Sequence, residues 1–239
     1  MAELLPVADA LARILSDVTP LEAESVAISE AAHRTLAHPL AANRRQPPFD
    51  ASAMDGYAVR ASDAFAGARL RVIGMSAAGH GFKGAVGAGD AVRIFTGAPT
   101  PPGADAVVIQ EDVERDDGMI TVREAARAGR NIRSAGVDFE RGQTLLDPGR
   151  RLDARALGLA AAMGHGAIAV RRQPRVTILA TGDELVRPGV RPNTDQIVLS
   201  NSYSLAALAR DAGAAAIDLG IASDDVPSLA QCFQNAREA

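Results

Sequence analysis

The chain is poor in aromatic residues and almost without cysteine or lysine. It has no Trp, and aromatics make up 3% of its 239 residues, too few for the stacked platforms that hold single-stranded nucleic acid. The formal net charge is -4 and no basic stripe is evident, which argues further against a nucleic-acid partner. The single cysteine, Cys232, excludes an internal disulfide and any CxxC metal site. His33, His38, His80 and His165 show no ligand spacing. No stretch approaches a membrane span, and no basic segment precedes a sustained apolar run as in a signal peptide. The expectation is a cytoplasmic protein with no membrane partner. What remains is ordinary for a globular chain, 47% hydrophobic and 23% charged, with length for one large or two to three small domains.

The richest polar segment is Pro47–Val59, reading Pro-Pro-Phe-Asp-Ala-Ser-Ala-Met-Asp-Gly-Tyr-Ala-Val. Its two prolines fix φ and donate no hydrogen bonds, making a stiff lead-in. Asp50, Ser52 and Asp55 come next, and Gly56 permits a turn or a close approach by another group. An isolated Asp-Gly pair would be explained by a turn with Asx bonds. The length of this segment, and a second one like it, favour a preorganised polar loop of the kind where function concentrates. The second is Arg93–Asp105. There Thr96-Gly97 ends a strand with an exposed hydroxyl, and Pro99, Pro101 and Pro102 stiffen the loop after it. It reads either as an elaborate hairpin connection or as a presentation of Thr96 and nearby amides to an anion.

Periodicity divides the rest. Val7, Leu11, Ile14, Leu15 and Val18 predict an amphipathic helix over 7–18, ended by Thr19-Pro20. A strand is expected over 24–28, then a short helix capped by Ser29 and running to about Leu36. From Gly56 to about Glu124 the pattern is β, with strands over 57–60, 69–74, 91–95, 106–113 and 119–123. Asp116-Asp117-Gly118 is a hairpin signal between the last two. Residues 131–139 read as a polar loop, and 144–146 and 167–171 as strands. Asp153 suits the N-cap of a helix through Met163, with Gly164 at its stop.

Beyond Arg175 the period changes. Strand 175–180, helix 201–212, strand 215–221 and helix 226–237 alternate as in an open, mostly parallel α/β sheet. Ser200 or Asn201 is the expected cap of the first helix and Asp225 of the second. Such sheets bind ligands outside the carboxyl ends of their strands, where Thr181-Gly182-Asp183-Glu184 and Ser223-Asp224-Asp225 stand. Four acids at one rim suit Mg²⁺ held together with substrate phosphates, and the helix start near Asn201 offers a phosphate site. Helix capping is the simpler reading for Asp225. Two strands cannot bury four amphipathic faces, so the sequence reads as truncated.

Four stretches carry a family resemblance: PPFDASAMDGYAV (47–59), RIFTGAPTPPGADAVVIQE (93–111), NIRSAGVDFERGQTLL (131–146) and PRVTILATGDEL (174–185). In that order they resemble the molybdopterin molybdenumtransferases, the MoeA and gephyrin E-domain proteins, over essentially the whole chain. The resemblance implies insertion of molybdate into adenylylated molybdopterin with release of AMP. It also implies a divalent metal, usually Mg²⁺, and an elongated homodimer whose cleft lies between subunits, with a molybdopterin adenylyltransferase as upstream partner. The implied fold is α/β and multidomain: a β-rich insert domain over 48–136, a discontinuous connector over 20–47 and 137–172, and a partial MogA-like α/β domain over 1–19 and 173–239. Asp55, Thr96, Asp138 and Glu184 are implied as catalytic. Asp50, Ser52, Gly97, Asp183, Ser200 and Asn201 are implied in substrate binding, and Glu184 and Asp224 in holding the metal. Leu199-Ser200-Asn201 stands where many members have Asp-Ser-Asn, which removes one polar contact, and Ala51 replaces a common Asn. The family's Gly-Gly-Val loop and C-terminal β-barrel would fall beyond Ala239, so the resemblance implies that this 239-residue chain is inactive alone. A pterin- or nucleotide-binding or scaffold module of the same fold is the alternative reading.

Overall fold

Alternating apolar residues between Gly56 and Val122 build a six-stranded sheet in the computed structural model, which describes residues 5–238. Across the sheet the strands run Ala106–Ile109, Gly56–Val59, Asp90–Ile94, Arg69–Ser76, Met119–Val122 and Val113–Asp116. All neighbours are antiparallel except Asp90–Ile94 and Arg69–Ser76, which run parallel. Successive side chains point to opposite faces. Tyr57 and Val59 therefore join one apolar cluster with Leu70, Ile120 and Val122, while Ala58 joins Val92, Ile94 and Val107 in another. The expected hairpin is present: Asp117 and Gly118 take φ of 38° and 77° between the last two strands, as a two-residue turn of matching twist requires. Gly56 is there for the close approach rather than a turn, because a Cβ at this position would overlap the carbonyl oxygen of Val108 on the neighbouring strand.

The chain divides into two compact units. One holds Leu40–Leu146 and Gly158–His165; the other holds the described residues through Pro39, Asp147–Leu157 and the segment from Gly166 onward. The first unit contains the six-stranded sheet and two short antiparallel pairs, Leu40–Ala41 with Thr144–Leu146 and Ala51–Ser52 with Ile132–Arg133.

In the second unit, helix α1 covers Val7–Leu15 and buries none of its side chains. It stops short of Val18, with the Ser16 hydroxyl donating to the Arg13 carbonyl at 2.9 Å. The strand Ala23–Ala27 pairs antiparallel with Ala167–Arg171. The helix expected from Ser29 to Leu36 does not form. Only a 3₁₀ turn over Ile28–Glu30 is present, His33 takes a left-handed φ of 63°, and Thr35 and Leu36 bridge to Arg151 and Val170. Long-range pairing overrides the local helix preference there.

Helix α2, Ala154–Ala162, is capped as its sequence predicts, the Asp153 carboxylate accepting from the Ala156 amide at 2.8 Å. That amide is the main reason the Asp153 carboxyl sits below its usual pKa, with Arg150 and Arg155 adding to it against some desolvation. A lowered folded pKa gives stability that is present above the unfolded pKa and lost as pH falls through the folded value. Asp153→Ala is therefore expected to lower the urea midpoint at pH 7, and the gap to the parent should close as pH falls below the carboxylate range.

Past Arg175, Arg175–Thr181 pairs in parallel with Ala215–Ala222, and Leu185–Val186 with Ile197–Val198. The parallel pairing expected here is present, but as two separate two-stranded pairs rather than one open sheet. Gly182-Asp183-Glu184 separates Arg175–Thr181 from Leu185–Val186, and Pro188 and Pro192, poor strand residues, fall in the connection within the second pair. Helix α3, Asn201–Asp211, comes after the second pair, and helix α4, Val226–Glu238, after Ala215–Ala222. The Asp225 carboxylate caps α4, accepting from the Ser228 amide at 2.8 Å. Ser200 occupies the N-cap position of α3, yet neither it nor Asn201 supplies the expected side-chain cap bond.

Candidate functional site

Three of the four polar stretches interlock within the first unit. Ala51–Ser52 pairs with Ile132–Arg133, and Ala51 also bridges to Pro99. The Ser52 amide donates to the Ala98 carbonyl at 2.9 Å, the Gly97 amide to the Ser52 carbonyl at 2.8 Å, and the Ala53 amide to the Asn131 carbonyl at 2.8 Å. The Gln46–Pro47 peptide is cis. Asp50 ties the stretches together twice: its carbonyl accepts from the Thr100 amide at 2.8 Å, and its carboxylate from the Ala135 amide at 2.8 Å. The Ser52 hydroxyl, buried, donates to the Met54 carbonyl at 2.6 Å. Ser52 thus holds the loop's shape through a local bond of the kind its residue type favours, and Asp50 through a long-range bond to the Ala135 amide.

Asp55 and Thr96 meet at the centre of this loop system. One Asp55 carboxylate oxygen accepts from the Thr96 amide at 2.8 Å and from the Thr96 hydroxyl at 2.7 Å. The amide bond, then the hydroxyl bond, hold the Asp55 carboxyl below its ordinary pKa, with the Arg93 charge adding to them against some desolvation. Asp55 is ionised at neutral pH and is a weak base. The amides of Thr96, Gly97 and Ala98 are all bonded internally, to Asp55, Ser52 and Phe95. The loop's outward chemistry therefore lies in its side chains. Gly97, at φ 80°, is exposed beside Thr96. Asp138 is exposed and takes both its carboxylate oxygens to one Arg133 nitrogen, at 2.9 and 3.1 Å.

Sequence reasoning left Arg93 without a role. Its guanidinium lies 5.1 Å from the Tyr57 ring centre and 4.8 Å from that of Phe95. It donates to the Gly56 carbonyl at 3.1 Å and to the Gln110 side chain at 2.7 Å. A guanidinium stacked and bonded in this way is fixed as well as charged. Arg93 and Phe95 stand two residues apart at the end of the Asp90–Ile94 strand, and strand pairing makes Tyr57 the cross-strand partner of Arg93.

The remaining candidate residues lie in the second unit. A cleft of about 400 Å³ opens at the carboxyl end of the Arg175–Thr181 strand, lined in part by Thr181, Glu184, Ser200, Asn201 and Ser202. Gly182, at φ 144°, leaves room there, since a Cβ would crowd the Glu184 carboxylate. No side chain caps α3, and while the Tyr203 and Ser204 amides donate to the Ser200 carbonyl, those of Asn201 and Ser202 remain available to an anion in this cleft. Leu199 is buried. Asp183 and Asp224 come together on the neighbouring rim, the Asp183 carboxylate accepting from the Asp224 amide at 3.3 Å. Asp225 is committed to capping α4. Among the described residues no three His, Cys, Asp or Glu side chains gather as a metal-holding group. A donor set of one or two carboxylates is nevertheless what Mg²⁺ commonly takes when substrate phosphates complete its shell. Asp55, Thr96 and Asp138 thus belong to one unit, and Asp183, Glu184, Ser200, Asn201 and Asp224 to the other.

A mixed six-stranded sheet with interlocked polar loops, carried on the same chain as parallel βα units, defines a recognisable class of protein. The chain belongs to the MoeA family: the model of the MoeA N-terminal region (domain I and II) matches residues 5–164. It is 38% identical over 90% of its length to a molybdopterin molybdenumtransferase of Haemophilus influenzae, and 35% identical over 98% of its length to one of Bacillus subtilis. It covers 53% and 56% of those two proteins, so the chain spans about half the length of these curated relatives. Among solved structures, a molybdopterin biosynthesis moeA protein of Pyrococcus horikoshii superposes with a TM-score of 0.89 at 32% identity, over 99% of this chain and 64% of that one.

Proposed function

We propose that the chain acts in molybdenum cofactor biosynthesis as a molybdopterin molybdenumtransferase, inserting molybdate into adenylylated molybdopterin and releasing AMP. The observation that carries this reading is the Asp55–Thr96 pair, buttressed by Arg93, at the junction of three stretches that the chain shares with its family. In this reading Asp55 is a positioning group: its ionised carboxylate fixes the Thr96 hydroxyl, and its low pKa disfavours proton acceptance. Thr96, Gly97 and Asp138 face the molybdate and the dithiolene. Glu184, Ser200 and Asn201 receive the pterin or nucleotide phosphate, with the free amides of α3 as anion donors. A divalent cation, Mg²⁺, would rest on Glu184 or Asp224 and neutralise phosphate charge when bound. We further propose a cytoplasmic homodimer supplied by a molybdopterin adenylyltransferase. Among the described residues no helix is long and apolar enough to cross a membrane.

The test is to incubate the protein, at the full extent of its reading frame, with adenylylated molybdopterin, Mg²⁺ and molybdate, and to monitor AMP. Molybdate-dependent release is expected, and Glu184→Gln should reduce it about tenfold or more by weakening the phosphate-cation arrangement. Binding of the adenylylated pterin by folded protein, with no AMP released, would favour the binding-module reading instead.

A further inference from the structure

A second cavity of the second unit shares no lining residue with the cleft just described. Its volume is about 460 Å³, within the range of small-molecule pockets. Its walls contain Arg34, Arg171, Arg172 and His33, and no carboxylate. Two of these cations are already matched: Arg34 is paired with Glu24 and Arg172 with Glu22. Arg171 is not. Its half-buried guanidinium donates to the Leu21 carbonyl at 3.1 Å and, at the limit of reach, to the Ala37 carbonyl at 3.5 Å. Among the described residues it forms no ion pair. Carbonyls satisfy hydrogen bonds but do not neutralise a charge, and an unmatched cation partly withdrawn from water is costly.

His33 stands on the same wall, exposed, in the left-handed region at φ 63°. Its backbone is held there by its amide bond to the Leu152 carbonyl and by the Arg151 guanidinium on its own carbonyl. Non-glycine residues held in this region concentrate at ligand sites. Leu21, Pro20, Pro174 and Ala212 supply apolar lining to the same cavity.

We infer that this cavity binds a small molecule carrying an oxyanion, phosphate or carboxylate, on an apolar body. The oxyanion pairs with Arg171, with His33 beside it, and the body lies on the proline and alanine wall. The inference does not depend on the transferase reading, since no residue of the cavity takes part in that site.

The test uses the ¹⁵N-labelled chain, titrated with phenyl phosphate and, separately, with benzoate and inorganic phosphate. Saturable shifts are expected at the Thr35 and Gly213 amides, with the preferred aryl anion binding about tenfold or more tightly than inorganic phosphate. The comparison of phenyl phosphate with benzoate distinguishes the two oxyanions. His33→Asp tolerates the left-handed backbone and places a carboxylate beside Arg171, so it should weaken binding about tenfold or more. His33→Asn, which tolerates the same backbone without adding a charge, should bind more tightly than His33→Asp, and Arg171→Met should abolish binding. If Arg171→Met does not fold, His33→Asp against His33→Asn decides alone. The inference is overturned by the absence of saturable shifts up to about 10 mM probe, by equal affinity in His33→Asp and parent, or by shifts confined to the Ser200–Asn201 amides.

Discussion

Replacing Asp55 by Asn is expected to reduce molybdate-dependent AMP release about a hundredfold, the scale on which loss of one preorganised polar contact is felt in an active site. The change is isosteric, so its effect isolates charge. In the parent both Thr96 donors converge on one ionised oxygen, at 2.8 and 2.7 Å. Charge-assisted bonds of this kind are roughly twice as strong as neutral ones. Asn keeps an acceptor oxygen but loses the charge, and its amide is free to flip, so the Thr96 hydroxyl gains other rotamers. Arg93 then stands beside a neutral group and its electrostatic pull on position 55 disappears. Asp55 is half-buried and its lowered pKa adds to folded-state stability at neutral pH, so the melting temperature should fall only modestly while the apolar core stays intact. Full activity in Asp55→Asn would remove the carboxylate from the chemistry, and a large fall in melting temperature would recast it as a structural group.

Gly56→Ala should be the most destabilising single methyl in the chain. The added Cβ meets the Val108 carbonyl oxygen directly and lies 2.9 Å from the Ile109 Cα. Both are backbone atoms on a paired strand, and neither can rotate away. The two strands must separate, which breaks pairing from Gly56–Ile109 through Val59–Ala106. Overpacking against a rigid partner costs about 3 kcal/mol, or about 6–12 °C in melting temperature for a chain of this size. The neighbouring Asp55 carbonyl accepts from the Gln110 amide at 3.1 Å, so displacement of this strand pair also moves Asp55 relative to Thr96. Gly56→Ala is therefore expected to lose activity along with stability, unlike Asp55→Asn, and thermal unfolding measured beside AMP release separates the two.

Local features of the chain were legible from residues alone. The hairpin at Asp117-Gly118 rests on a turn type that demands positive φ. The caps at Asp153 and Asp225 need only a carboxylate three residues before an amide. Long-range features were not legible in the same way. The Ser29 helix failed because Thr35 and Leu36 pair with segments more than a hundred residues away. The parallel direction of these strands follows from the alternating pattern, but their division into two pairs turns on the break at Gly182-Asp183-Glu184, between Arg175–Thr181 and Leu185–Val186. At the site, each polar stretch was visible by itself. Their interlocking through Ser52, Ala98 and Asn131 is a matter of backbone bonds that carry no side-chain signature. Arg93 escaped notice because its role needs the Tyr57 register, which only pairing reveals.

The central claim is that an ionised Asp55 holds Thr96 in place and so organises the loop. A pH titration of the ¹⁵N-labelled chain, read at the Thr96 amide, tests it most directly. The account predicts a Thr96 amide shift whose midpoint falls below the ordinary carboxylate range, about 3.9 for Asp, and which vanishes in Asp55→Asn. A Thr96 amide that does not respond to pH, or that titrates at an ordinary value and still does so in Asp55→Asn, would contradict it.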